Sequence, residues 1–388
     1  MKVILSVDSI KFPLTGIGRY TYELAKQLQV QKDLELVLFA NRSEVLELPA
    51  HVLPAQEQAK LDIFGRLRRL LRKRDLLIRV YQFLAGIKYQ VSLKPHIEAI
   101  FHGPNFYLPR FNGPSVSTFH DLSIFTWAHC HPPERVRFMQ RELKLTIKRA
   151  SLLITDSGYT RQEIASYFGY PLDKIRIVPL ACSPDFHPRD AIETNSILNK
   201  FGLAHDGYTL YAGTIEPRKN IESLLDAYAM LPDAIRARWP LVLAGYRGWR
   251  SEVLHQRIEA AVTAGWARYL GYVANDDLPI LFAGARLFVF PSHYEGFGLP
   301  VLEAMASGVP VVCSNSSSLP EVAGGAALMC DALDVKKLTQ LIVLGLEDES
   351  WRVGAVAKGL AQSSKFSWER CAKETIEVYR ELAVRNNH

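Results

Sequence analysis

Short apolar, β-branched runs alternate with amphipathic helical stretches along the chain. KVILSVD (2–8) and LELVLFA (34–40) read as buried strands, with a helix over 18–29 between them. EAIFHG (98–103), SVSTFHD (115–121), SLLITDS (151–157) and IRIVPL (175–180) continue this series. A second series comprises YTLYAG (208–213), PLVLAG (240–245), ARYLGYV (267–273), RLFVFPS (286–292) and VPVVCS (309–314). Strands alternating with helices predict parallel sheets covered on both faces. Two such series predict two doubly wound, Rossmann-like α/β domains. Pro, Asp and polar residues interrupt the pattern over 183–196, which sets the division at 1–188 and 189–367. The final stretch, 367–387, reads as an amphipathic helix opened by Ser367 as N-cap. It is expected to pack back on the first domain, although a helix closing the second would show the same pattern.

Length and composition agree with this. A chain of 388 residues exceeds one hydrophobic core, and 48% hydrophobic with 22% charged residues is ordinary globular composition. No run of about 18 apolar residues predicts a membrane span. The opening MKVILSVD reads as a first strand rather than a signal peptide. The five cysteines form no CxxC pair and read as reduced cytosolic thiols. His129, Cys130 and His131 are adjacent, so they cannot easily converge on one metal ion.

Ligands of open parallel sheets bind beyond the carboxyl ends of the strands, and three motifs fall there. The first, Thr15-Gly16-Ile17-Gly18-Arg19, follows the first strand. Its glycines could bring backbone N–H groups to an anion at a helix N-terminus, though a plain strand–helix turn explains them as well. The second, GTIEPRKN (213–220), puts Arg218 and Lys219 at a strand-to-helix turn, where two cations can meet a diphosphate. A solvated helix start would account for most isolated pairs of this kind. In the third, EGFGLPVLE (295–303), two glutamates stand eight residues apart around two glycines and a proline. One carboxylate can accept from sugar hydroxyls while the other grips a ribose diol. Glu303 lies among Leu302, Ala304, Met305 and Ala306, where an ionised group without a hydrogen-bonding partner is costly.

The Glu295–Glu303 spacing resembles the E-x7-E element of retaining GT-B glycosyltransferases of family 4. GTIEPRKN, LVLAGYRGW, SHYEGFGLPVLEAMASGVPVV and SLPEV resemble that family in order and spacing, as do TGIGRY, FHGPNFYLP, TFHDLS and ITDSGYTRQEI. HGPNFYLP and GTIEPRKN resemble most the bacterial mannosyltransferases that use GDP-mannose for surface polysaccharide such as O-antigen. The resemblance implies a GT-B fold, two domains facing across a cleft. It gives Glu303 the ribose hydroxyls, Glu295 the donor sugar, and the backbone around Gly296, Phe297, Gly298 and Leu299 the sugar and phosphate. Arg218, Lys219 and Gly16 would meet the diphosphate. His120 would face the reaction centre and bond the donor sugar, and the segment with Tyr272 and Val273 would meet the base through main-chain groups. Thr15 stands where many relatives have a first glycine, and Thr214 where many have an arginine.

No Asp cluster such as DxD accompanies the diphosphate motifs, so transfer without a metal or other cofactor is expected, the cations stabilising the leaving group. Retention by front-face departure and attack is the favoured route. Rival readings are transfer of another nucleotide sugar of the UDP-glucose type, a UDP-sugar epimerase of the same architecture, and a non-catalytic sugar-nucleotide binding module.

Charge adds an acceptor side. The net charge is +6, yet residues 1–190 hold 27 basic and 18 acidic side chains and the remainder 19 and 22. Residues 60–94 carry ten Lys/Arg against Asp62 and Asp75, with apolar residues at helical spacing. This fits basic amphipathic helices on an anionic leaflet, near a polyprenyl-diphosphate-linked glycan acceptor. It equally fits a core-packing helix with a solvated basic face. The expected location is cytoplasmic, peripheral on the inner membrane. A nucleic-acid partner is not expected, because aromatic interleaving is sparse and no binding motif matches.

Overall fold

A computed structural model describes residues 1–14, 16–49 and 89–386. Most of the basic stretch 60–94, and Thr15, therefore lie outside the described residues. The first sheet contains β1 (Lys2–Ser6), β2 (Glu35–Ala40), β3 (Ser43–Val45), β4 (Ile100–Gly103), β5 (Ser115–Phe119), β6 (Leu152–Thr155) and β7 (Ile175–Ile177), in the order β3-β2-β1-β4-β5-β6-β7. The second contains β8 (Thr209–Ala212), β9 (Leu241–Ala244), β10 (Ala267–Gly271), β11 (Leu287–Phe290), β12 (Val311–Ser314) and β13 (Leu328–Cys330), in the order β10-β9-β8-β11-β12-β13. Every pairing is parallel except that of β3 with β2.

β4, β5, β6, β8, β9, β11 and β12 are buried along their whole length. Strands covered on both faces read as unbroken apolar runs rather than alternating ones, and this made them legible. The two strands absent from the sequence expectation, β3 and β13, are three-residue edge strands. Such short, partly exposed segments leave almost no periodic signal.

The helices that matter below are α1 (Gly16–Gln29), α2 (Gly158–Phe168), α3 (Ile221–Ala229), α4 (Leu299–Ala306) and α5 (Trp368–Asn386). α1 buries Tyr20, Leu24, Ala25 and Leu28, one stripe at helical spacing. α5 opens with the Ser367 hydroxyl accepting from the Arg370 N–H at 3.1 Å. It crosses to the first sheet's domain, where it packs on α1 and β4. Tyr379 Oη meets His102 Nδ1 at 2.6 Å, and Glu381 pairs with Arg176.

Strand order locates the crevices. Each sheet reverses direction once, at β1/β4 and at β8/β11. A crevice opens beyond the carboxyl ends of strands at such a switch point. Gly16 follows β1, while GTIEPRKN and the Glu295 loop follow β8 and β11.

Candidate functional site

The segment after β8 turns through a 3-10 turn (Pro217–Lys219) into α3. Asn220 sits at φ 55° there, and its side-chain amide donates to the carbonyls of Pro291 and Ala332 at 3.0 and 2.6 Å. This anchors the turn to the strand ends beside it. The His293 N–H donates to the Arg218 carbonyl at 3.0 Å, and Arg218 Nη1 donates to the Tyr294 carbonyl at 2.8 Å. The two donor-side loops are therefore laced together before any ligand arrives.

Glu295 is 7% exposed, and its Oε1 accepts from Lys219 Nζ at 2.6 Å and from Ser292 Oγ at 2.7 Å. Arg218 Nη1 lies 3.7 Å from Oε2, while Nη2 donates to Glu216 Oε1 at 2.8 Å. Burial opposes the Arg218 charge, yet Glu295, Asp121 and Glu216 hold the guanidinium firmly cationic. The expected diphosphate cations are thus brought into direct contact with the expected sugar carboxylate. Arg218 is spent on protein acceptors, whereas Lys219 holds Glu295 alone by hydrogen bond and can turn to an incoming anion.

The turn into α4 offers backbone donors. Among the described residues, the N–H groups of Gly296, Phe297, Gly298 and Leu299 donate to no protein acceptor. Ser318 Oγ bonds the carbonyls of Glu295 and Phe297 at 2.9 and 2.7 Å, which fixes the turn. Gly298 caps α4 at φ 117°, a conformation that favours glycine. At Gly296 the constraint is space, because a Cβ would lie 1.7 Å from the His120 carbonyl oxygen of the other domain.

On α4, Glu303 is partly buried, and burial pushes its carboxyl up to about 7, partly offset by the Arg19 charge. Its carboxylate has no hydrogen-bond partner among the described residues. With a folded pKa above the ordinary 4.5, stability is lost as pH rises from about 4.5 through 7. Glu303→Gln is expected to raise the melting temperature of the ligand-free protein at pH 8 and to leave it unchanged near pH 4. Scanning calorimetry at the two pH values checks this.

Across the cleft, His120 follows β5 and is 8% exposed. Its Nδ1 meets Asp156 Oδ2 at 2.7 Å, and its Nε2 donates to the Pro104 carbonyl at 2.9 Å. Burial favours the neutral ring, but the Asp156 charge and these hydrogen bonds outweigh it and raise the pKa. Both ring nitrogens are therefore engaged by the protein. A direct bond from this ring to a sugar requires Nε2 to leave the Pro104 carbonyl. Gly16 begins α1, and nothing stands within 4 Å of where its Cβ would be. Tyr272 is 44% exposed and stacks on Tyr246 with centroids 4.6 Å apart, while Val273 is buried.

The domains meet around these loops. Ser157 Oγ donates to the Gly296 carbonyl at 2.7 Å, and Glu321 accepts from the first two N–H groups of α2 at 2.8 and 2.7 Å. Tyr294 Oη accepts from the Leu122 N–H at 2.8 Å and donates to Glu163.

The profile described as "Glycosyltransferase Family 4" matches residues 14–186, and that of "Glycosyl transferases group 1" matches residues 195–359. The chain is 49% identical to O-antigen chain mannosyltransferase B of Escherichia coli over 383 residues, 98% of this chain and 100% of that one. The chain is a family 4 glycosyltransferase. It is also 37% identical over 241 residues to the serotype-specific mannosyltransferase WbdA of Escherichia coli, covering 61% of this chain and 29% of that protein. Among solved structures, sucrose-phosphate synthase from Thermosynechococcus elongatus shares the fold with a TM-score of 0.73 at 18% identity, over 99% of both chains. That likeness is the two-domain GT-B fold. Glycosyltransferases of this group take a nucleotide-sugar donor and are generally metal-independent.

Asp156, Arg19 and Asp121 are neighbours of the site to which the sequence reading gave no role. All three lie within the motifs ITDSGYTRQEI, TGIGRY and TFHDLS. What was missing was the pairing in space: Asp156 under His120, Arg19 opposite Glu303, and Asp121 facing Arg218.

Proposed function

We propose that this glycosyltransferase moves α-mannose from GDP-mannose, with retention, onto a lipid-linked glycan acceptor of surface-polysaccharide assembly. The observation that carries the sugar assignment is the end-to-end 49% identity to an O-antigen mannosyltransferase. The geometry supports the chemistry. Glu303, an acceptor with no donor among the described residues, suits a ribose diol. The free amides of residues 296–299 and the Glu295 carboxylate suit the sugar and the phosphate beside it. Gly16, at the N-terminus of α1, suits the same phosphates.

Lys219 pairs with Glu295 at 2.6 Å. A diphosphate draws the ammonium away, frees Glu295 Oε1 for a sugar hydroxyl and keeps the cation beside the leaving group. Negative charge that develops on the diphosphate then meets a fixed cation and oriented amides, the arrangement that lowers such barriers most. The departing phosphate takes the proton of the attacking acceptor hydroxyl on the same face, which preserves the anomeric configuration. Tyr272 and Val273 border the base. Incubation of purified protein with GDP-, UDP-, ADP- and dTDP-sugars tests the assignment: GDP-mannose is expected to be bound and hydrolysed preferentially, and preference for another donor overturns it.

Peripheral attachment to the cytoplasmic face of an anionic membrane completes the proposal. Its support is the charge of residues 60–94, since no helix among the described residues is long and apolar enough to cross a membrane. Wild-type protein is expected to float with anionic liposomes, and a variant with Arg68, Arg69, Arg72 and Arg74 changed to Glu is expected to stay at the bottom. Equal flotation of the two removes the idea.

A further inference from the structure

Glu295 is bracketed by residues that reach out of their own domain. It sits in the loop after β11, and its carboxylate turns back to Lys219 and Ser292 of the second domain. Its neighbours do the opposite. The His293 ring stacks on Trp127 of the first domain, with centroids 5.6 Å apart and planes at 10°. The Gly296 carbonyl accepts from Ser157 Oγ at 2.7 Å and from Thr160 Oγ1 at 3.3 Å. Between them, Tyr294 sends its side chain into the first domain.

The hydroxyl of that side chain has only one way to share its proton. The Leu122 N–H can only donate, so Tyr294 Oη accepts from it at 2.8 Å. The phenolic hydrogen is then directed to Glu163 Oε2, on α2. Tyr294 is 2% exposed, and burial beside Asp121 and Glu163 pushes its pKa well up, so the hydroxyl remains a donor at neutral pH. Its ring lies against Trp127 and Tyr159, with centroids 6.2 and 6.1 Å away, and both belong to the first domain.

The backbone of the same residue is held on the other side. Arg218 Nη1 donates to the Tyr294 carbonyl at 2.8 Å, and the Glu295 N–H donates to Ser317 Oγ at 2.8 Å. Both polar groups of the peptide that joins Tyr294 to Glu295 are therefore bonded within the second domain. The side chain at one end of that peptide is bonded within the first. A shift of one domain against the other thus acts on a peptide that ends at the Glu295 Cα.

We infer that Tyr294 is a positioning residue for transfer, its hydroxyl fixing Glu295 relative to the first domain through Leu122 and Glu163. The inference rests on the assignment of Glu295 to the donor sugar given above, and adds the residue that sets where that carboxylate stands. Tyr294 touches no reacting atom in this role. Displacements near 1 Å cost up to about a hundredfold in rate, so loss of this anchor is expected to show in turnover. Lys219 and the amides of residues 296–299 belong to the second domain, so nucleotide binding is expected to survive it.

The test is a double-mutant cycle on transfer from GDP-mannose to a synthetic lipid-linked glycan, with GDP titrated calorimetrically into each protein. Tyr294→Phe keeps the buried ring and removes only the hydroxyl. It is expected to lower kcat about tenfold, with GDP affinity within about twofold of wild type, which also reports that the protein is folded. Glu163→Ala is expected to lower kcat several-fold. The double variant is expected to match Tyr294→Phe, because Glu163 acts through that hydroxyl. Wild-type kcat in Tyr294→Phe, a fall in GDP affinity as large as the fall in kcat, or losses that multiply in the double variant would each overturn the inference. Glu295→Ala run beside them separates the two readings. If it is inactive while Tyr294→Phe is fully active, this inference alone fails. If it retains wild-type transfer, the Glu295 assignment falls and this inference with it.

Discussion

Replacing Glu295 by alanine is expected to lower sugar transfer by about three orders of magnitude and to leave nucleotide binding equal or tighter. The carboxylate is 7% exposed and ion-paired with Lys219 at 2.6 Å, so in the free protein each occupies the other. On the proposed reading, removal of the carboxylate releases the ammonium for the diphosphate, which favours GDP. It would also remove the acceptor proposed to hold the donor sugar against the backbone amides of residues 296–299. Loss of one well-placed polar group at a reacting centre costs about 10²–10³ in rate. Here the sugar is displaced as well as its charge left unstabilised. The measurement is transfer rate beside a calorimetric titration with GDP. A parallel loss of both would mean that Glu295 maintains the loop rather than the sugar.

The second large effect is expected from Gly296→Ala. A Cβ at this position would stand 1.7 Å from the His120 carbonyl oxygen, a distance that backbone movement alone can relieve. The Gly296 carbonyl also receives the Ser157 hydroxyl, so the two domains are in direct contact at this glycine. The methyl group therefore wedges the cleft without touching the core of either sheet. Turnover is expected to fall about a hundredfold, in line with the sensitivity of catalysis to displacements near 1 Å. GDP affinity is expected to fall as the amides of residues 296–299 shift, while small-angle scattering with GDP should give a larger radius of gyration than wild type. Unchanged turnover would show that catalysis does not need this approach of the domains.

Both variants depend on relationships that the sequence carries only in part. The strands were legible because β5, β8 and β11 are buried on both faces and read as continuous apolar runs. With the strands placed, the motifs fell at their carboxyl ends, and the switch point at β8/β11 explains why GTIEPRKN and EGFGLPVLE share a crevice. The partners of each side chain were not legible. Lys219 and Glu295 are 76 residues apart, and His120 and Asp156 are 36 apart, so no local periodicity joins them. The role of His120 toward the donor sugar is what the family resemblance implies, and the Pro104 carbonyl that receives Nε2 has no signal in the sequence. Arg218 and Lys219 read alike as adjacent cations. Their partners distinguish them, since Arg218 is locked among Glu216, Tyr294 and Glu295 whereas Lys219 has one carboxylate to leave.

The most direct test of the account is the anomeric configuration of the product, read by NMR after purified protein is given GDP-mannose and a synthetic lipid-linked glycan acceptor. The account predicts one new α-mannosidic linkage and one GDP per linkage formed. A β-linked product, or transfer that proceeds only with a different nucleotide sugar, would contradict it.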